Sequence, residues 1–229
     1  MGNNDELIKI RRNFYLAGIL MLIFIFFTMS LLYIDVEPIG PGQSLVGLAT
    51  LNRYMSNVFG TNLFWYGFTD MLGIIAIGTA GGFSMVGLVQ LIQRKSLKRI
   101  DSGIILLGIF YVVVMACYFL FEMIHINYRP IIMEDELEVS FPSSHTMIVL
   151  FIMASSIIQF GILIKNRTIR TVANFLASSV IVLTVVGRMI SGIHWFTDII
   201  GGILVGSALV HLYYTIIQSL HFHQNPIQK

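Results

Sequence analysis

Charge is scarce in this chain. Only 11% of its 229 residues are Asp, Glu, Lys or Arg, against about 25% in an average soluble domain, and 56% are hydrophobic. A soluble fold of this length has too little interior to hide so much apolar surface. The net charge of +2 comes with no block of basic residues, which argues against a nucleic-acid partner. The single cysteine, Cys117, lies in an apolar run; it can form no internal disulfide and says nothing about redox compartment. Targeting signals are scarce as well. Position 6 is Glu where the acylation pattern after Met1-Gly2 needs Ser or Thr. The first apolar run is long and lacks a small-residue cleavage site, so a retained helix is expected there rather than a removed signal peptide.

What remains is six apolar runs, near 14–34, 64–92, 103–124, 146–164, 171–187 and 199–217. A helix crosses a hydrocarbon core of roughly 30 Å with about 20 residues, and each run qualifies, the fifth being the shortest. The expected fold is therefore all-α, a membrane bundle of six transmembrane helices forming a single domain over 1–229. Gly78 and Gly82 in the second run, and Gly202 and Gly206 in the sixth, stand four apart. That spacing either lets helix backbones approach closely or reflects the general frequency of glycine in membrane helices.

Lysine and arginine set the orientation. Lys9, Arg11 and Arg12 precede the first run; Arg94, Lys95, Lys98 and Arg99 join the second and third; Lys165, Arg167 and Arg170 join the fourth and fifth; Lys229 ends the chain. These are eleven of the 14 basic residues, on one face of a six-span protein, so both termini are expected in the cytoplasm. Acidic Asp35, Glu37, Glu134, Asp135, Glu136 and Glu138 fall in the outer loops. Asn166-Arg167-Thr168 fits a glycosylation acceptor but lies on the cytoplasmic side. Arg53, Arg129 and Arg188 break the charge rule, and two of them belong to one constellation.

On the outer side, the loop after the third run holds Arg129-Pro130 and then Phe141-Pro142-Ser143-Ser144-His145. The loop after the fifth holds Arg188, His194 and Asp198. Two guanidinium groups on one face fit a phosphate, since each can offer parallel charge-assisted hydrogen bonds. Ser143, Ser144 and the amides opening the fourth helix add donors, although Ser143 also reads as a plain N-cap. His194 and Asp198 are four apart, sharing a face if helical; the carboxylate would hold one ring nitrogen and leave the other to attack phosphorus. His145 would protonate the departing alcohol and then accept a proton from water. The His-Asp pair also reads as half a metal site, but no further ligand set accompanies it and the arginines would repel a cation. No metal or cofactor is expected. His125 could line the site, His211 reads as a bundle-facing histidine, and the acidic run 134–138 reads as a solvated loop.

These residues resemble the type-2 phosphatidic acid phosphatase family of membrane lipid phosphatases, whose motifs are K-x6-R-P, P-S-G-H and S-R-x5-H-x3-D. The second appears as Pro142-Ser143-Ser144-His145, with Ser144 for glycine. The third appears as Gly187-Arg188, His194 and Asp198 at family spacing, with Gly187 for serine. The first keeps Arg129-Pro130 and has Glu122 for lysine. The resemblance implies His194 as nucleophile, Asp198 as its orienting partner, His145 as general acid, and phosphate binding by Arg129, Arg188 and Ser143. Glu122, an accessory at most, would orient Arg129 or meet a different headgroup. Within the family the sequence is similar to bacterial phosphatidylglycerophosphatase B-type enzymes. That implies release of phosphate from phosphatidylglycerophosphate, with phosphatidic acid and undecaprenyl diphosphate as alternatives. The expected setting is a multi-pass protein of the bacterial plasma membrane with an extracytoplasmic site. Its partners would be the bilayer and its lipid phosphate substrate, with no obligate protein partner.

Two other classes stay open on sequence. A lipid transporter or flippase would suit six spans, yet ionisable residues cluster at span ends and no pair of matching broken helices is seen. A catalytically silent lipid binder would suit the motif departures, and the intact histidines, aspartate and arginines oppose it. A haloperoxidase shares phosphate-type motifs but not six spans. Leu45, Leu48, Leu51 and Met55, after the Pro38–Gly42 turn, fit a short interfacial helix with Arg53 and Tyr54 at headgroup level. Residues 38–55 would then border a lateral lipid entrance or form a fixed lid.

Overall fold

The computed structural model describes residues 3–133 and 136–224; Met1-Gly2, Glu134, Asp135 and Lys229, used in the sequence reading, lie outside them. Seven helices follow in order: α1 (Asn3–Tyr33), α2 (Ala49–Phe59), α3 (Leu63–Arg94), α4 (Ser102–Met123), α5 (Ser144–Leu163), α6 (Arg167–Ser191) and α7 (Phe196–Gln224). All but α2 are long and apolar enough to cross a membrane. This is the expected six-span, all-helical bundle. Helices suit the bilayer because they satisfy every backbone polar group internally.

Helix ends extend beyond the apolar runs. α1 begins at Asn3 and carries Lys9, Arg11 and Arg12 as helical residues. α6 covers Arg167–Ser191 rather than 171–187, its first turn capped by Asn166, whose side chain accepts from Ile169 N at 3.1 Å. Arg188 is therefore in the last turn of a helix, not in a loop. Hydropathy marks where the hydrocarbon lies, whereas the helix continues into the headgroup layer wherever a cap ends it.

α5 and α7 form the centre. About half of each spanning window is buried (56% and 50%), against 11% for α6, whose Phe175 and Val182 face outward. α5 packs on α3, α6 and α7, and α1 lies along α7. Between them, Phe110 stacks on Phe151 (ring centroids 5.8 Å apart) with Tyr213 edge-on at 5.5 Å. Gln159 Nε2 donates to the Tyr213 hydroxyl at 2.5 Å, so this buried polar pair is satisfied inside the bundle.

The two glycine pairs part company. A Cβ on Gly202 would lie 2.7 Å from Ser143 O and 2.9 Å from Thr146 Cβ, and one on Gly206 would lie 3.3 Å from Met147 O. That pair brings the starts of α5 and α7 together. Gly78 and Gly82 meet nothing within 4 Å. Gly202→Ala is expected to cost about 1–3 kcal/mol through overpacking, lowering the thermal unfolding midpoint in detergent. Gly78→Ala should leave it unchanged or slightly raised; equal losses would contradict this assignment.

Candidate active site

The mouth of α7 is built around Asp198, which is fully buried. Its Oδ2 accepts from Trp195 N at 2.9 Å, the reach-back of a capping box. Its Oδ1 accepts from Asn127 Nδ2 at 3.1 Å, and its carbonyl accepts from Ser143 N at 2.9 Å. One residue thus caps α7, holds the loop after α4 and seats the start of α5.

His194 precedes α7 and shares no helix face with Asp198, which corrects the helical-pair reading. The turn over residues 192–195 ends at the cap, so Asp198 spends its carboxylate on backbone and Asn127. The His194 Nδ1 lies 3.2 Å from Ser140 O and 3.8 Å from Asp198 Oδ2. A carbonyl only accepts, so the Nδ1 proton goes to Ser140 and Nε2 presents its lone pair. Asp198 stands just beyond hydrogen-bond range, near enough to face a charged ring. Burial holds His194 below the usual histidine range; Asp198 opposes this, while Arg129 and Arg188 add to it. His194 is accordingly neutral at neutral pH.

Arg129 rides on a short hairpin between α4 and α5. Tyr128 pairs with Val139 and Met133 with Glu136, and Arg129 N donates to Glu138 O at 2.9 Å. Trp195 Nε1 donates to Tyr128 O at 2.7 Å, fixing the hairpin over the α7 mouth. Arg129 Nε lies 2.8 Å from Glu138 Oε2. Glu138 therefore belongs to the site, not to a solvated run, and Glu138 rather than Glu122 is the carboxylate paired with Arg129.

Arg188 is fully buried. Its guanidinium sits 5.0 Å from the Tyr66 ring centroid, and Nη2 pairs with Asp70 Oδ1. The same Asp70 oxygen lies 3.1 Å from His145 Nε2. Sequence reading missed Asp70, although a carboxylate inside an apolar run is itself a functional signal. His145 lies within electrostatic reach of Arg188, Asp70, His194 and Arg129. Buried Nε and Nη1 of both Arg188 and Arg129, and His194 Nε2, have no hydrogen-bond partner among the described residues; the Arg129–Glu138 contact is an ion pair only.

Ser143 is buried as the residue before α5, its hydroxyl accepting from Thr146 Oγ1 at 3.0 Å. Ser144 and Glu122 line a small cavity with Arg129, Tyr118 and His194. His125 is exposed and stacks on Tyr128, 5.8 Å between ring centres, and His211 is a half-buried bundle residue beside Tyr214. The short helix expected over Leu45–Met55 is α2, which begins only at Ala49, with Leu48 as its left-handed cap and Leu45 before it. Its buried Asn52 donates to Gly47 O and Thr197 Oγ1, both at 2.9 Å, and accepts from Thr197 N at 3.2 Å. α2 is thus tied to the first turn of α7 beside Asp198, while Leu51 and Tyr54 stay exposed along it. Arg53, the third exception to the charge rule, pairs with Glu37.

Residues 125–222, from the Arg129 hairpin through α7, match the family model of the PAP2 superfamily. By this segment the chain resembles the PAP2 superfamily. It is similar in fold to the crystal structure of the first transmembrane PAP2 type phosphatidylglycerolphosphate phosphatase from Bacillus subtilis. The TM-score is 0.63 at 16% identity, covering 89% of this chain and 96% of that one. No curated protein sequence matches it.

One PAP2 motif departure, Gly187, has a local physical reason. A Cβ on Gly187 would fall 2.5 Å from Thr69 Cγ2 and 3.1 Å from the Trp65 ring, so α3 fills the space of the usual serine. Asp70 and Glu122 both precede the matched segment. Restoring the motif serine, Gly187→Ser, is expected to destabilise by about 1–3 kcal/mol. Thr69→Ser in the same chain should recover part of that loss, a coupling of about 0.5 kcal/mol or more. Additive melting shifts in detergent would show that the two sites do not touch.

Proposed function

We propose that this chain is a PAP2 superfamily member and hydrolyses a membrane lipid phosphate through a phosphohistidine on His194, with phosphatidylglycerophosphate as substrate and phosphatidylglycerol and phosphate as products. The observation that carries the reading is the set of buried nitrogens without hydrogen-bond partners among the described residues. Arg188 and Arg129 each contribute Nε and Nη1, and His194 its Nε2. A buried unsatisfied donor costs about 1–3 kcal/mol, and a phosphate oxygen satisfies a guanidinium donor with a charge-assisted bond. His194 Nε2, deprotonated, is the one nucleophile in that set.

In the proposed reaction Nε2 attacks phosphorus and the P–O bond to the lipid alcohol breaks. His145 gives its proton to the departing oxygen. Water then loses a proton to His145 and attacks phosphorus, the P–N bond breaks, and inorganic phosphate leaves. Asp198, 3.8 Å from Nδ1, offsets the positive charge that the ring gains while phosphorylated. The lipid for which the Bacillus subtilis phosphatase is named supports phosphatidylglycerophosphate as substrate, and phosphatidic acid and undecaprenyl diphosphate are the alternatives. The basic loops lie at the opposite end of the bundle, which supports an extracytoplasmic site.

The test is phosphate release in detergent from the three lipids, with and without EDTA. Release should survive EDTA, be fastest on phosphatidylglycerophosphate, and fall on the order of 10³-fold or more in His194→Ala. Release lost to EDTA, or kept in His194→Ala, would overturn the mechanism. The pH profile gives a second check. A nucleophile must be unprotonated, and the His194 pKa lies below its ordinary 6.5. The acid limb of kcat/KM should therefore fall below pH 6.5; a limb above that value would mean that another group attacks.

A further inference from the structure

Asp70 lies in α3, before the segment that matches the family model, and no motif of the resemblance includes it. Its Oδ1 touches groups from two other helices, Arg188 of α6 and His145 of α5, the latter at 3.1 Å. One turn further along α3 is Gly73, where a Cβ would lie 3.1 Å from His145 Cδ2 and 3.3 Å from Nε2. α3 thus supplies both the carboxylate that holds the His145 ring and the notch in which that ring lies. Asp70 and His145 are each 36% exposed, so this contact borders the space a substrate would reach, whereas Arg188 is enclosed.

We propose that Asp70 is a positioning residue for proton transfer, fixing the ring plane of His145 for the leaving oxygen while anchoring the phosphate-binding Arg188. This rests on the reading of His145 as general acid. A hydrogen bond from Nε2 to a carboxylate sets ring orientation and tautomer, as second partners do for metal-bound and catalytic imidazoles. The carboxylate also offsets Arg188 and Arg129, the cations facing His145 from α6 and the hairpin, when the ring carries its proton. His194 is the other titratable group facing it. One oxygen serving both partners couples the position of the proton donor to that of the phosphate clamp.

Leaving-group dependence separates this role from a structural one. An alkyl alkoxide needs a proton as it departs, and a nitrophenolate does not. Asp70→Asn should lower kcat/KM, which reports the step that expels the leaving group, about 10²-fold on octyl phosphate, at the low end of general acid catalysis, and less than about tenfold on p-nitrophenyl phosphate. His145→Ala should show the same asymmetry, and adding Asp70→Asn to it should lower both esters by one common factor, that of the lost Arg188 anchor. Gly73→Ala, which crowds the His145 ring without touching Arg188, should reproduce the asymmetry and serves if Asp70→Asn does not fold. Asp70→Glu should regain part of the octyl phosphate rate.

Equal losses on both esters in Asp70→Asn and Gly73→Ala, with His145→Ala still asymmetric, would overturn the positioning role alone. Unchanged rates in Asp70→Asn would do the same. A symmetric loss in His145→Ala would remove the general-acid reading and this proposal with it.

Discussion

Arg188 has no exposed surface, and a guanidinium so placed cannot be left alone at low dielectric. A buried cation without its partner costs several kcal/mol, and the geometry of the pair decides whether the charge is tolerated. The pairing with Asp70 meets that constraint, and the arrangement of three helices follows from it. α3 must bring Asp70 to the last turn of α6, and Tyr66 covers the guanidinium face at 5.0 Å. Thr69 and Trp65 of the same helix fill the space over Gly187. Four α3 side chains within six positions thus define where one arginine of α6 sits. Because Asp70 also meets His145, the start of α5 is referred to the same point.

A second constraint acts at the helix starts. α5 and α7 both begin at the site, and each leaves amides that need acceptors. Ser143 N uses the Asp198 carbonyl, Trp195 N uses the Asp198 carboxylate, and Thr197 N uses Asn52. The backbone approach this demands is possible because Gly202 carries no side chain toward Ser143 O. Asp198 is therefore occupied with holding two helices and a hairpin together. Its distance from His194 follows from that work: the carbonyl of Ser140 orients the ring, and the carboxylate contributes charge. Replacing Asp198 perturbs architecture and electrostatics together, so a loss of activity there would not separate the two.

The spans, their number, a short helix before α3 and the residues of three motifs are legible because each has a local signature. Apolar runs long enough to cross, a turn followed by helical spacing, and fixed intervals between Arg, His and Asp can all be read along one line. What was not legible depends on contacts between distant segments. Glu138 becomes the partner of Arg129 only when a hairpin folds back across it, and Asn127 and Asn52 reach the α7 mouth from segments 71 and 145 positions away. Helix boundaries were misplaced where polar residues continue a helix past the hydrocarbon. Arg188 accordingly moved into α6, while the Asp198 cap left His194 outside α7. Asp70 is a different kind of miss. An acidic residue seven positions into an otherwise apolar helix is visible in the sequence, but the length and hydropathy that mark a span give it no weight.

Glu122, at the family's lysine position, bears on how such a site can hold a dianion. Around Arg129 and Arg188 stand Asp70, Glu138, Asp198 and Glu122, so carboxylates outnumber guanidinium groups and net charge alone does not attract phosphate. Recognition must therefore be directional. Lysine supplies a compact charge on a flexible stem, whereas arginine supplies a planar fork whose separate N–H groups can face different partners. Here each fork is divided. Arg188 gives Nη2 to Asp70 and keeps Nε and Nη1, while Arg129 meets Glu138 at Nε as an ion pair without hydrogen-bond geometry and keeps Nη1. The carboxylates fix the planes of the guanidinium groups, and the remaining N–H groups are left aimed without needing to be freed. A lysine lost at position 122 removes attraction at a distance but none of these aimed donors. On the proposed reading the site can then carry a glutamate there and still offer phosphate oxygens the N–H groups that no described residue accepts.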